Sequence, residues 1–264
     1  MGKSRFAPSL RIIPFLLIII LLSGCTFDSV TATGKIGESL SDLSELFEPP
    51  LSEVCAYPGL NSRCDELRKK TENASKQVHV VVAYSKALQK LVNEKQVDAG
   101  GKLGQLVDIT NKAKWTDVSD DSKDAVTKVV DEVAKILTIS FKKKKVRETL
   151  KITCEPIAKL TDVLIANLKA RQYVYEDLIT ELKKYAANCQ DSSPDCTALS
   201  QAKNRFLFES LEANKAKLEK GVKTVQAFQK AHATLCKKDN INKIGTKADK
   251  DVSKEITDEL KKLN

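Results

Sequence analysis

Seven cysteines and two histidines carry most of the chemistry open to this chain. A zinc site needs three or four close His, Cys or acidic ligands. His79 and His232 fall in different helical stretches, one beside an apolar seam and one among Ala and Lys, and both read as packed or surface side chains. Oxidised cysteines cannot serve as ligands, and no Cys–His signature of a nucleophile is present. There is no Gly-x-Ser-x-Gly elbow and no Ser-x-x-Lys set with its partner motifs. Gly100, Gly101 and Gly104 lack the spacing and strand context of a phosphate loop. Asp117, Asp120, Asp121 and Asp124 lack the alternation and central Gly of a calcium loop, and suit the first turn of a helix, where the dipole favours acid. The expectation is therefore no catalytic residue, no metal and no cofactor.

The elements that would position these residues are helices. Aromatic residues make up 5% of the chain and Gly numbers 10, too few for a sandwich or barrel. Leu67, Thr71, Ala74, Val78, Val81, Ser85, Leu88 and Val92 alternate at spacings of four and three, which predicts a helix over 65–94 opened by a Ser62–Asp65 capping box. Val126, Val129, Val130, Val133, Ile136, Leu137 and Phe141 form a second apolar face after the cap at Ser119. Ile157, Leu160, Leu164, Leu168, Tyr175, Leu178, Leu182 and Tyr185 mark a third, with Pro156 at its first turn or kinking a longer helix. Leu199, Ala202, Phe206, Ala213, Ala216, Ala227 and Ala231 mark a fourth, ending near Cys236, and Thr246 opens a last short helix bearing Val252, Ile256, Leu260 and Leu263. The fold expected is all-α: an elongated antiparallel bundle of three or four long helices plus short ones, as a single domain over 38–264.

At the other end of the chain, Lys3, Arg5 and Arg11 precede an unbroken apolar run, Ile12 to Leu22, closed by Leu22-Ser23-Gly24-Cys25. The run is too short to span a bilayer and suits the apolar core of a secretory signal. It resembles the signal of bacterial lipoproteins, in which the cysteine of the lipobox is diacylated and becomes the first residue. Leu22, Ser23, Gly24 and Cys25 match that pattern; the resemblance covers residues 1–25 only. It implies a signal peptide over 1–24 and attachment to a membrane through acylated Cys25. Residues 25–37, small and polar, read as a flexible tether to the domain. In enteric lipoproteins an Asp after the acylated Cys favours inner-membrane retention. Thr26 at that position implies the outer membrane, facing the periplasm.

The other six cysteines read as disulfides in an exported chain, and several disulfides favour an oxidising Gram-negative envelope. Six cysteines allow fifteen pairings. Short-loop closure favours Cys55–Cys64 and Cys189–Cys196, which flank turns. Hairpin register favours Cys154–Cys236, since the two lie nearly equidistant from the turn between Cys189 and Cys196. After signal removal the basic excess is carried by Lys, with Arg only at 63, 68, 147, 171 and 205, a solvated helical surface and not a nucleic-acid site. Lys142, Lys143, Lys144 and Lys145, followed by Arg147, cover every side of a helix, so they belong at a bundle end or connection. They are the candidate contact with an anionic surface or acidic partner. The function expected is binding or structural within the cell envelope; the first alternative is an immunity lipoprotein that blocks a toxin or phage component, and the second, less favoured for want of a catalytic constellation, is an enzyme.

Overall fold

The computed structural model describes residues 27–41, 43, 61–92, 120–138, 143–188 and 198–261. Among them the chain forms seven α-helices and no strand: α1 Asp28–Glu38, α2 Asn61–Val92, α3 Asp120–Thr138, α4 Lys143–Asn188, α5 Ala198–Cys236, α6 Lys238–Lys243 and α7 Asp249–Lys261.

The 46-residue α4 is the spine, about 70 Å long at 1.5 Å per residue. Helix α5 runs antiparallel along it in constant register. Cys154 meets Cys236, Asp162 meets Gln229, Glu176 meets Lys215, and Lys183 lies over the Phe208 ring. Each step up α4 matches an equal step down α5, as two helices of the same rise require. On α4 the stripe Ile157, Leu160, Leu164, Leu168, Tyr175, Leu178 and Leu182 is buried as its spacing predicts. Pro156 lies inside α4, so this helix begins at Lys143 and the longer of the two expected forms holds. Its ring removes the N–H that would serve the carbonyl of Ile152, whose residue is 52% exposed.

On α2 the seam residues Thr71, Ala74, Val78, Val81, Ser85 and Leu88 are buried, and the helix crosses α4 antiparallel, with Tyr84 at Thr153 and Gln77 at Asn167. It begins at Asn61, so Ser62 is already helical. Val126, Val129, Val130, Val133 and Ile136 of α3 join the same core. On α5 the expected face is mostly wrong: of its described side chains only Ala231 is buried. Phe206 is 68% exposed and Ala213 and Ala216 are exposed, while Leu207, Leu211, Leu218, Val222, Val225, Phe228 and Leu235 are buried with Ala231. The bulkier residues remove more apolar area from water and so set the rotation of the helix.

The tether expected over 25–37 is corrected from Asp28 onward. Those residues form α1, packed against α2, α5 and α7 with Ser29, Val30, Ala32, Thr33, Gly34 and Gly37 buried. The small residues that read as flexibility serve close approach. A Cβ at Gly37 would lie 1.8 Å from Ser85 Oγ, and one at Gly34 2.6 Å from Gln89 Cγ. Past α1, Leu40 and Leu43 are buried, and Leu43 fills the space over Gly221 of α5. Gly245, at φ 72°, makes the left-handed turn between α6 and α7.

Candidate functional site

Two places hold the polar groups of interest. The first is the end of the bundle where α1, α4 and α7 begin. Asp249, 1% exposed at the start of α7, accepts hydrogen bonds from Ser29 N–H (3.2 Å) and Ser29 Oγ (2.6 Å) at the start of α1. Burial pushes the Asp249 carboxyl up from its ordinary value, against the pull of those bonds. Beside this joint, Arg147 donates through Nε (3.1 Å) and Nη2 (2.7 Å) to the carbonyl of Ile244, fastening the first turns of α4 to the α6–α7 turn.

The basic run is accordingly divided. Lys143 opens α4, and Lys144 and Lys145 project from its first turn with side chains 88% and 44% exposed, both paired with Glu148. The hydrogen bond from Lys145, reinforced by the charges of Lys145, Lys144 and Lys151, holds the Glu148 carboxyl below its usual value. Val146 between them is fully buried. Arg147, assigned from sequence to the same exposed contact, is instead a structural clamp, because the buried Ile244 carbonyl takes its guanidinium. Exposed Lys247 of the α6–α7 turn and exposed Lys250 of the first turn of α7 flank Asp249 in the chain, adding cations to the joint between α1 and α7. Exposed Asp251 and half-buried Asp28 stand near them. Leu22, Ser23, Gly24, Cys25 and Lys142 lie outside the described residues, as do Cys55, Cys189 and Cys196, while Cys64 falls in the first turn of α2.

The second place is a polar layer inside the same half of the bundle. Tyr84 of α2 bonds Thr153 Oγ1 of α4 (2.7 Å) and His232 Nε2 of α5 (2.8 Å); all three residues are buried. Thr153 Oγ1 donates its one proton to the carbonyl of Thr149 (2.9 Å), which can only accept. Tyr84 must therefore donate to Thr153, and its oxygen must receive the proton of His232 Nε2. His232 is thus the Nε2–H tautomer, and Nδ1 carries a lone pair. Burial pushes the imidazole pKa down to about 3, so it stays neutral. Burial likewise pushes the Tyr84 hydroxyl up. Thr149 Oγ1 extends the layer to Glu132 of α3 (3.3 Å). Next to it the disulfide Cys154–Cys236 joins α4 to α5 with Cα atoms 5.8 Å apart, the pairing expected from hairpin register.

Sequence reading left His232 as a packed or surface histidine and saw the disulfide, but not their adjacency. Thr149 and Thr153, four apart on α4, were the available signal. Arg171 was also missed: it sits fully buried on the Leu164–Leu168–Tyr175 stripe, with Nη2 3.3 Å from Tyr175 Oη. Among the described residues no group of three His, Cys, Asp or Glu could hold a metal ion, and no helix is long and apolar enough to cross a membrane. No protein-family model, curated protein or solved structure matches the chain.

Proposed function

We propose that this protein is a lipid-anchored component of the bacterial envelope, held through acylated Cys25, whose helical domain rests directly on the membrane by its basic end and serves a binding or structural role there. The observation that carries the reading is the position of α1. It starts three residues after Cys25 and is locked to α7 through Ser29 and Asp249, so almost no slack separates the lipid from the folded body. The end nearest the anchor bears Lys144, Lys145, Lys247 and Lys250. Basic residues beside an anionic leaflet gain about 1 kcal/mol each, and the anchor concentrates the two surfaces against one another. A domain mounted this way presents its far end, where α4 meets α5 near Lys183 and Phe208, to partners in the periplasm.

Metabolic labelling with a clickable fatty acid tests the anchor; undiminished label on Cys25→Ala would end this reading. Sedimentation of the unacylated mature chain with phosphatidylglycerol vesicles tests the basic end. Binding should weaken at high salt and when Lys144, Lys145, Lys247 and Lys250 become Glu. Equal binding to neutral phosphatidylcholine vesicles would refute it.

A further inference from the structure

We propose that the cleft beside Cys154–Cys236 is a thiol–disulfide exchange site for low-molecular-weight thiols, with His232 Nδ1 waiting as the acceptor for the thiol of Cys236. This rests on geometry inside the bundle and does not depend on Cys25.

The cleft holds about 290 Å³ and is lined by Cys154, Ile157, Gln229, His232, Cys236 and Lys237 among others. Both cysteines are half-buried, so the disulfide borders space that a small molecule can enter. His232 Nδ1 lies 3.6 Å from Cys236 Sγ. A disulfide sulfur has no proton to donate, and the bond network above leaves Nδ1 without one. While the disulfide is intact, this buried lone pair therefore faces an atom that cannot satisfy it. Once Cys236 is reduced, its S–H points an available donor at that lone pair. The fold thus holds a hydrogen bond that only the reduced form makes, which biases Cys154–Cys236 toward exchange.

An incoming thiolate attacks Cys154 Sγ, and a new S–S bond forms there. The Cys154–Cys236 bond breaks, and its electron pair leaves on Cys236 Sγ. That sulfur takes a proton from water and donates it in a hydrogen bond to His232 Nδ1. The small thiol is oxidised to the mixed disulfide and Cys236 is reduced; a second thiol displaces the first and frees Cys154. Cys236 is the sulfur released because it alone has the acceptor. It is also the last residue of α5, where the helix dipole slows departure as a thiolate but favours the neutral thiol once protonated, so the preference for Cys236 is one of equilibrium and not of rate.

The purified oxidised protein is equilibrated in buffers of reduced and oxidised glutathione, quenched with acid, and mapped by peptide mass, which reads each cysteine separately. The expected product is glutathione on Cys154 with Cys236 as free thiol. In Tyr84→Phe the ring remains but the tautomer is released, and in His232→Leu the acceptor is gone. Each should shift the equilibrium about fivefold back toward the intact disulfide, the worth of one net hydrogen bond. A merely structural role predicts the opposite sign, because a loosened fold holds two thiols together less well and favours reduction. Thermal unfolding confirms that each variant is folded, and Tyr84→Phe decides the matter if His232→Leu is not. A disulfide inert to glutathione in the folded protein, an adduct on Cys236, or variants reduced as readily as the wild type would each overturn the proposal.

Discussion

The seat of α1 and the seam between α4 and α5 are both buried, and they are built in opposite ways. The α4–α5 seam uses Leu160, Leu164, Leu168, Leu211, Leu218 and Phe228, large side chains at helical spacing that remove apolar area from water. The seat of α1 uses Ser29, Ala32, Thr33, Gly34 and Gly37, whose value lies in what they omit: they let the α1 backbone approach α2, and one buried Ser–Asp pair fixes the end. Hydrophobic burial is roughly additive along a helix, so the seam should resist local damage. Close approach is a threshold, so the seat should fail at single positions.

Leu164→Ala should break the seam at a cost of about 2–5 kcal/mol, read by urea unfolding as a lower midpoint with all helices melting together. Gly37→Leu forces a side chain into Ser85 and Phe228, at about 1–3 kcal/mol. Its signature should be local. Amides of α1 should exchange much faster while those of α4 keep their protection. Equal loss of protection in both helices would show that seat and seam form one cooperative unit, and the contrast would fall. Asp249→Ala leaves Ser29 N–H and Oγ without acceptors and should cost about 1–2 kcal/mol.

The same joint has a pH signature. Because burial raises the folded-state pKa of Asp249, the folded form holds its proton more tightly than the unfolded chain. Stability contributed by this group is lost as pH rises from the unfolded value through the folded one, and regained on acidification. Relative to Asp249→Asn, which does not titrate, the wild type should gain stability as pH is lowered from 7 to about 3.5. A gap that stays constant across that range would mean that Asp249 is not desolvated. The smallest effect should come from Lys144→Ala, whose pair with Glu148 is exposed and screened by solvent. Thermal unfolding should hardly change, although anionic-vesicle binding falls.

The seam was legible in the sequence and the seat was not. Val126 to Ile136, Ile157 to Leu182 and Thr71 to Leu88 announce their buried faces by spacing. On α5 the alanine series at 213 and 216 misled, because Ala is equally at home on either side of a helix while Leu207, Leu211 and Leu218 are not. In α1 no periodic apolar signal exists to read: Gly34 and Gly37 look like chain flexibility until the atoms of Ser85 and Gln89 are seen opposite them. Arg147 reads as one more charge in a basic run, and only the carbonyl of Ile244, 97 residues away, makes it a clamp.

Helical class, the long antiparallel pair and the Cys154–Cys236 staple were determined by the sequence itself. Residue spacing and a constant rise per residue are local properties, so two cysteines equidistant from a turn must come level. Tertiary structure alone decided that the segment from Asp28 onward is a docked helix, that Arg147 of α4 clamps the α6–α7 turn, and that His232 turns its lone pair toward Cys236. Each of these depends on which atoms of distant segments meet and, for His232, on the direction of hydrogen bonds passed through Tyr84 and Thr153. No spacing within one segment carries that information.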